Sequence, residues 1–370
     1  MNKRYLISGG GTGGHIFPAL AIANKIKAVN PDAEILFIGA NDKMEMQRVP
    51  EAGYNIKGLT IYGASRDLSW AGIKKNAKLP FVLFKAIRDA KSIIKDFKPD
   101  IAIGVGGFAS GPALKAAEQL GVPTLLQEQN SYPGVTNKML ASKTKRICVA
   151  YDGLEKYFPA EKIVKTGNPV RAEILHIENK NAKAYQYFNF VPDKKLVLVV
   201  GGSLGARTLN ETMAAHLDDF RKADVQLLWQ TGEQFFRNID SKLLAEQDEY
   251  IRIVPFIKNM YDAYSIADVI VSRAGALAIS ELSIVGKPVI LVPFPYAAED
   301  HQTFNAKALS THDAAVLIPD SEAKETLYPT LMELIHDDAH CAQMSENILR
   351  FAKPEAIQSI YDEIEKVIAR

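Results

Sequence analysis

Short, almost wholly apolar runs recur along the chain, each followed by small or polar residues and then by a longer amphipathic stretch. The first, Leu6-Ile7, runs into Ser8-Gly9-Gly10-Gly11-Thr12-Gly13-Gly14-His15, after which Ile16-Phe17-Pro18 opens an apolar-periodic helix through Val29. The alternation continues with strand Glu34–Gly39, a loop from Tyr54 to Asp67, helix Pro80–Phe97, strand Asp100–Val105, helix Pro112–Leu120 and strand Pro123–Gln127. Strands Arg146–Ala150 and Ile163–Thr166 complete this half. Apolar runs of strand length separated by helical periodicity predict a parallel sheet with helices on both faces.

The pattern then pauses and restarts. Gly167-Asn168-Pro169-Val170-Arg171 is a turn followed by a polar stretch of low periodicity to Pro192, which marks a domain boundary. Lys195–Val200 is a second buried strand, and Gly201-Gly202-Ser203-Leu204-Gly205-Ala206-Arg207 leads from it into helix Thr208–Phe220. Further strands are predicted at Val225–Thr231, Ile251–Pro255, Val269–Ser272, Val289–Val292 and Ala314–Ile318. The last stretch, Pro354–Arg370, carries Ile357, Ile360, Tyr361, Ile364, Val367 and Ile368 on one helical stripe. The expected fold class is α/β, with two Rossmann-like doubly wound parallel-sheet domains facing a central cleft. Residues 1–168 form the first, 169–352 the second, and 353–370 a C-terminal helix able to pack back on the N-terminal domain.

Composition narrows the class. A chain of 370 residues with 47% hydrophobic and 24% charged residues has ample material for two cores. A net charge of +1 argues against binding nucleic acid by bulk electrostatics. Cys148 and Cys341 are far apart and lack metal spacing, so neither a disulfide framework nor a zinc site is indicated, and a reducing cytoplasm fits. The apolar run at the start ends at Ser8, too short for a signal peptide, and nowhere do about 18 apolar residues run together to span a bilayer.

The glycine loops carry the candidate chemistry. Backbone N–H groups crowd an anion only where no Cβ intervenes, and the following helix directs its unpaired N–H groups at the same point. Gly9-x-Gly11-x-x-Gly14 also fits the dinucleotide fingerprint, but after the second strand only Asp42 is placed to bind a ribose. His15 adds a titratable imidazole beside that loop. A third cluster, Gly104-Val105-Gly106-Gly107-Phe108-Ala109-Ser110-Gly111, implies an extended anion such as a diphosphate across the first domain, or else one site and one tight turn. Gln127-Glu128-Gln129-Asn130-Ser131 ends a buried strand, where amides suit sugar hydroxyls if they reach the cleft, or cap the next helix if they do not. Glu281, early in a helix after Ser272-Arg273-Ala274-Gly275, is placed either to accept bonds from vicinal hydroxyls or to stabilise the helix start. Glu299 and Asp300 are adjacent and read as solvated or capping, so no dedicated metal and no tightly bound cofactor is expected. Phe81 and Phe84, with Trp70 and Ile73, interleave with Lys74, Lys75, Lys78, Lys85, Arg88 and Lys91, a pattern that suits an anionic bilayer surface or a wide buried face with a lysine rim.

Taken together, Gly10-Gly11-Thr12-Gly13-Gly14-His15, Gly106-Gly107-Phe108-Ala109-Ser110-Gly111-Pro112, Glu128-Gln129-Asn130, Gly167-Asn168-Pro169-Val170-Arg171, Gly201 through Arg207 and Arg273-Ala274-Gly275-Ala276 through Glu281 resemble the MurG family of peptidoglycan glycosyltransferases. The motifs follow the family's order over nearly the whole chain. The resemblance implies a GT-B fold and transfer of GlcNAc from UDP-GlcNAc to the MurNAc 4-hydroxyl of undecaprenyl-diphospho-MurNAc-pentapeptide (lipid I to lipid II), with inversion. It places Thr12, Gly13 and Gly14 at the donor site with Asn130, which would hold a GlcNAc hydroxyl; Arg171 and Ser203 lie at the diphosphate, and the Ile257 backbone at uracil. Ala276, Leu277 and Glu281 fall at the ribose and phosphate, and Gln302 at the sugar. Gly106, Gly107 and Ser110 would hold the acceptor diphosphate, and Phe81 and Phe84 would dock on the cytoplasmic face of the inner membrane, beside the cell-wall synthesis machinery. Gln127 stands where some members have His, and Ala278 replaces a hydroxyl residue of others. His15 is the candidate base. A UDP-GlcNAc epimerase of the same architecture would have no use for the basic-aromatic face, and a non-catalytic nucleotide-sugar or NAD-binding module would bind without turnover.

Overall fold

The structure is a computed structural model that describes residues 2–63, 69–202 and 205–369; the side chains of Ala71, Gly72, Lys75 and Ala298 also lie outside the described part. Ser203, the end of the Tyr54–Asp67 loop and the Lys75 side chain therefore fall outside it. The chain forms two compact units, Met1–Val170 with Pro354–Arg370, and Arg171–Lys353.

In the first unit the elements are β1 (Arg4–Ser8), α1 (Gly13–Val29), β2 (Glu34–Ala40), α2 (Glu45–Glu51), β3 (Asn55–Leu59), α3 (Trp70–Phe97), β4 (Ile101–Gly104), α4 (Ser110–Gln119), β5 (Thr124–Glu128), α5 (Val135–Leu140), β6 (Arg146–Val149) and β7 (Ile163–Lys165). All seven strands are parallel, in the order β3-β2-β1-β4-β5-β6-β7. Alternation along β1 decides the layers. Leu6 joins Leu36, Ala102 and Leu126 under α3 and α4, whereas Tyr5 and Ile7 join Phe37, Ile103 and Leu125 under α1.

Two expectations change here. The loop after Tyr54 contains an additional edge strand, β3. Helix α3 begins at Trp70, ten residues before Pro80, which lies inside it. Proline removes one internal hydrogen bond without ending this helix.

The second unit comprises α6 (Ala182–Phe188), β8 (Leu196–Val200), α7 (Arg207–Ala215), α8 (Leu217–Lys222), β9 (Gln226–Gln230), α9 (Glu233–Arg237), α10 (Ser241–Ala245), β10 (Ile251–Val254), α11 (Met260–Ile266), β11 (Val269–Ser272), α12 (Ala276–Val285), β12 (Val289–Leu291), α13 (His301–Ser310), β13 (Val316–Leu317), α14 (Ala323–His336) and α15 (Asp338–Leu349). Its parallel sheet runs β10-β9-β8-β11-β12-β13. The single helix expected over Thr208–Phe220 is broken at His216, whose backbone leaves the helical region and whose ring stacks on Tyr328 at 4.2 Å. The polar stretch to Pro192 holds a short 3-10 turn and α6.

The chain closes with α16 (Ala356–Ile368), which returns to the first sheet. Ile360, Ile364 and Val367 bury against the Tyr5/Ile7 face, Glu365 pairs with Lys3 and accepts from the Tyr5 hydroxyl, and Glu363 meets Arg146 at 3.3 Å.

Candidate active site

In an open parallel sheet, ligands collect at the carboxyl ends of the two strands between which the connections reverse direction. In the first unit those strands are β1 and β4, so the glycine loops that follow them lie side by side. Val105 N–H donates to Ser8 O at 2.9 Å and Gly10 N–H to Gly106 O at 3.3 Å. Gly107 has φ +88°, and a Cβ there would stand 2.2 Å from the Gly10 carbonyl oxygen. Glycine is what lets the two loops touch.

His15 sits at the first turn of α1 with its ring against the second loop, where a Gly106 Cβ would come within 2.9 Å of it. Its Nδ1 lies 3.1 Å from the Gly10 carbonyl oxygen. A carbonyl only accepts, so Nδ1 carries the proton and Nε2 the lone pair in the neutral ring, the tautomer a general base needs. Gly13 and Gly14 open α1, with their N–H groups in the turn that lacks internal partners. Ser110, the first residue of α4, is buried, and its hydroxyl lies 2.7 Å from the place of a Gly104 Cβ, beneath the loop.

The acid that follows β2 into this corner of the sheet is Glu45, not Asp42 as the spacing suggests. Asp42 is exposed, whereas Glu45 is 1% exposed and accepts from Gly11 N–H at 2.9 Å and Ala40 N–H at 3.0 Å. The Gly11 N–H is thus taken from any phosphate by an internal carboxylate.

At the end of β5 Glu128 follows the capping alternative, binding the start of α5. Gln127, Glu128 and Gln129 are buried and bound within the unit rather than presented as sugar contacts. Gln127 Nε2 donates to Asn168 Oδ1 at 2.8 Å, Asn168 Nδ2 to the Gln129 carbonyl at 3.0 Å, and Gln129 Nε2 to the Val105 carbonyl at 2.9 Å. The Glu128 carboxylate gathers Asn130 N–H, Gly134 N–H and Asn137 Nδ2, folding the loop so that Asn130 and Ser131 lie at its half-buried surface. Burial raises the Glu128 pKa above the usual carboxylate range, opposed by those same hydrogen bonds.

In the second unit the reversal falls between β8 and β11, so the loop after Val200 and the start of α12 share one corner of the sheet. Gly275 precedes α12, whose first residues, Ala276 and Leu277, hold N–H groups that have no partner within the helix. Glu281, one turn further, is nearly buried and is gripped by Arg171, with Nε to Oε1 and Nη2 to Oε2 both at 2.9 Å. Ile257 N–H is already engaged by Gln230 Oε1 at 2.8 Å, so a uracil contact there falls to its carbonyl. Gln302 Oε1 accepts from Phe294 N–H at 2.9 Å, which leaves its amide NH2 as the group for a sugar. Arg273 is structural, donating to the Val292 and Pro293 carbonyls and pairing with Asp320, which also receives the Thr208 hydroxyl at 2.8 Å.

On α3, the face opposite the core carries Trp70, Ile73, Phe81 and Phe84, at 86%, 52%, 78% and 73% exposure. Lys74, Lys78, Lys85 and Arg88 on the same helix are exposed too. Among the described residues no helix is long and apolar enough to cross a membrane.

Two doubly wound parallel sheets, each with a glycine loop and a helix N-terminus at its switch point, make up the GT-B fold, the class to which many glycosyltransferases belong. The sequence carries that class explicitly: residues 5–149 match the model of the glycosyltransferase family 28 N-terminal domain and residues 196–360 that of the family 28 C-terminal domain. The UDP-N-acetylglucosamine--N-acetylmuramyl-(pentapeptide) pyrophosphoryl-undecaprenol N-acetylglucosamine transferase of Parabacteroides distasonis is 52% identical over 365 residues, covering 99% of this chain and 98% of the relative. Its counterpart from Bacteroides thetaiotaomicron is 50% identical over 366 residues, covering 98% and 97%. The crystal structure of MurG from Acinetobacter baumannii superposes with a TM-score of 0.78 at 32% identity, covering 98% of this chain and 99% of that one. The chain belongs to the MurG family of N-acetylglucosaminyltransferases.

Proposed function

We propose that the chain transfers GlcNAc from UDP-GlcNAc to the 4-hydroxyl of MurNAc in undecaprenyl-diphospho-MurNAc-pentapeptide, converting lipid I to lipid II with inversion. The acceptor oxygen attacks the anomeric carbon, the bond from that carbon to the diphosphate oxygen breaks, and UDP leaves with the electron pair. His15 Nε2 takes the acceptor proton. This role rests on the Nδ1 contact to Gly10, the observation that carries the assignment, because it fixes the basic nitrogen. The N-terminus of α12, Arg171 and the loop that includes Ser203 stabilise the charge growing on UDP.

Glu281 remains suited to a ribose even while paired. Each carboxylate oxygen offers more than one acceptor site; Arg171 uses one on each and the Tyr264 hydroxyl, at 3.4 Å, a further one on Oε2, so Oε1 keeps the capacity for a ribose hydroxyl. Thr12, Gly13, Gly14 and Asn130 serve the donor sugar with Gln302, and the loop at Gly106, Gly107 and Ser110 serves the acceptor diphosphate through backbone N–H groups. The aromatic stripe of α3 with Lys74, Lys75, Lys85 and Arg88 docks on an anionic bilayer. On this reading the enzyme works peripherally at the cytoplasmic face of the inner membrane, where its lipid substrate and the cell-wall machinery meet. Large apolar side chains in one exposed stripe, rimmed by cations, support such a surface.

The test is incubation of the purified chain with labelled UDP-GlcNAc and a short-chain lipid I analogue. Release of UDP only with the acceptor present, together with label in the lipid, is expected. UDP release without acceptor, or none at all, contradicts the proposal.

A further inference from the structure

Glu45 is buried beneath the first glycine loop, and the sequence makes room for it twice. A Cβ on Gly10 would stand 2.2 Å from its carboxylate carbon, and one on Gly39 would stand 2.6 Å from its Cγ. Both carboxylate oxygens are spent inside the protein, Oε2 on Gly11 N–H at 2.9 Å and Oε1 on Ala40 N–H at 3.0 Å. The side chain therefore ties the loop after β1 to the end of β2.

The piece of backbone it grips is the piece that holds the imidazole. Gly10 N–H reaches Gly106 O and Gly10 O faces His15 Nδ1 at 3.1 Å, so the Gly10–Gly11 segment links Glu45 on one side to His15 on the other. We infer that Glu45 is a positioning residue for transfer: it fixes the Gly10–Gly11 backbone and, through the Gly10 carbonyl, the place and tautomer of His15. The inference rests on the reading of His15 as the base. A fixed anion at Gly11 also disfavours a second one there, which leaves the first loop to present the imidazole and the neighbouring loop at Gly106 to meet the diphosphate.

The conservative variant is Glu45→Gln, which keeps shape but turns an NH2 toward one of two N–H donors. Steady-state kinetics are compared for the full-length wild type, Glu45→Gln, His15→Ala and the double variant, with UDP-GlcNAc and a short-chain lipid I analogue. Because misplacement of a catalytic group by about 1 Å costs up to roughly a hundredfold, kcat of Glu45→Gln is expected to fall by about 10- to 100-fold. KM for UDP-GlcNAc stays within about twofold, and the double variant is no slower than His15→Ala alone. Wild-type kcat in a folded Glu45→Gln, or losses that multiply in the double variant, overturn the inference. Where thermal melting shows Glu45→Gln unfolded, Glu45→Asp keeps the charge but is too short to span both N–H groups, and full kcat in that variant overturns the inference equally. Normal turnover in His15→Ala would instead remove the base assignment itself, and the positioning role with it.

Discussion

Arg171 and Glu281 are joined by two parallel hydrogen bonds of 2.9 Å, although 110 residues separate them, so the first residue of the second unit is clamped to the second turn of α12. The fork fixes the carboxylate's plane, which a lysine ammonium in place of the guanidinium would not do. Arg171 stays half exposed while it orients the nearly buried acid, so under the proposed function the acid would meet the ribose and the arginine the diphosphate.

Loss of a hydrogen bond to a charged group costs about 1.5–3 kcal/mol, which is roughly 10- to 100-fold in affinity. Glu281→Gln is therefore expected to raise KM for UDP-GlcNAc by about that factor, with a smaller change in kcat. Inhibition constants for UDP and 2′-deoxy-UDP check the cause. The wild type should prefer UDP, and Glu281→Gln should discriminate less.

The exposed stripe of α3 predicts a substrate-dependent defect. Replacing Phe81 and Phe84 together by serine should weaken sedimentation with anionic vesicles and slow turnover of a long-chain acceptor embedded in them. Turnover of a soluble short-chain analogue should stay near wild type, because neither ring belongs to the chemical site. Equal losses on both acceptors would contradict the docking role.

Gly11 and Gly107 share a φ of +88° and differ in what surrounds them. A Cβ on Gly11 meets nothing within 4 Å, whereas one on Gly107 meets the Gly10 carbonyl at 2.2 Å. Gly11→Ala should cost about 1–2 kcal/mol of stability from the left-handed conformation alone. Gly107→Ala adds a backbone clash worth roughly another 1–3 kcal/mol and should separate the two loops. Denaturant midpoints of the two variants test the order.

Glu128 gives stability a pH dependence. Burial raises its pKa above the unfolded value of about 4.3, so the folded chain holds the proton more tightly than the unfolded one. Its contribution is complete below about pH 4.3 and is lost as pH rises through the folded value. The stability of the wild type relative to Glu128→Gln should therefore fall as pH rises out of the acid range. Paired urea titrations at several pH values read this difference, in which the other titrating groups largely cancel.

Much of this was legible in the sequence because the strands are parallel and buried on both faces, which makes them unbroken apolar runs such as Leu196–Val200. Glycine loops after two adjacent strands also announce themselves by composition. What could not be read was pairing at a distance. Nothing near Glu45 in the chain says that it turns back under Gly10, and nothing near Gln127 says that Asn168 binds its amide. Strand order decides both, because it brings the ends of β1, β2 and β4 together and sets the end of β7, which Asn168 follows, one strand beyond β6 from β5. Pro80 is ambiguous for a local reason: proline suits a helix start, yet α3 runs from Trp70 and is helical on both sides of it.

The central claim is that UDP is held by the second unit while the first presents His15 to the lipid-borne alcohol. A crystal of the protein soaked with UDP tests it most directly. Uracil at the Ile257 carbonyl, ribose hydroxyls on Glu281 and phosphates at the start of α12 are the expected result. Nucleotide bound only against Gly9–Gly14 of the first unit, away from Glu281, would contradict it.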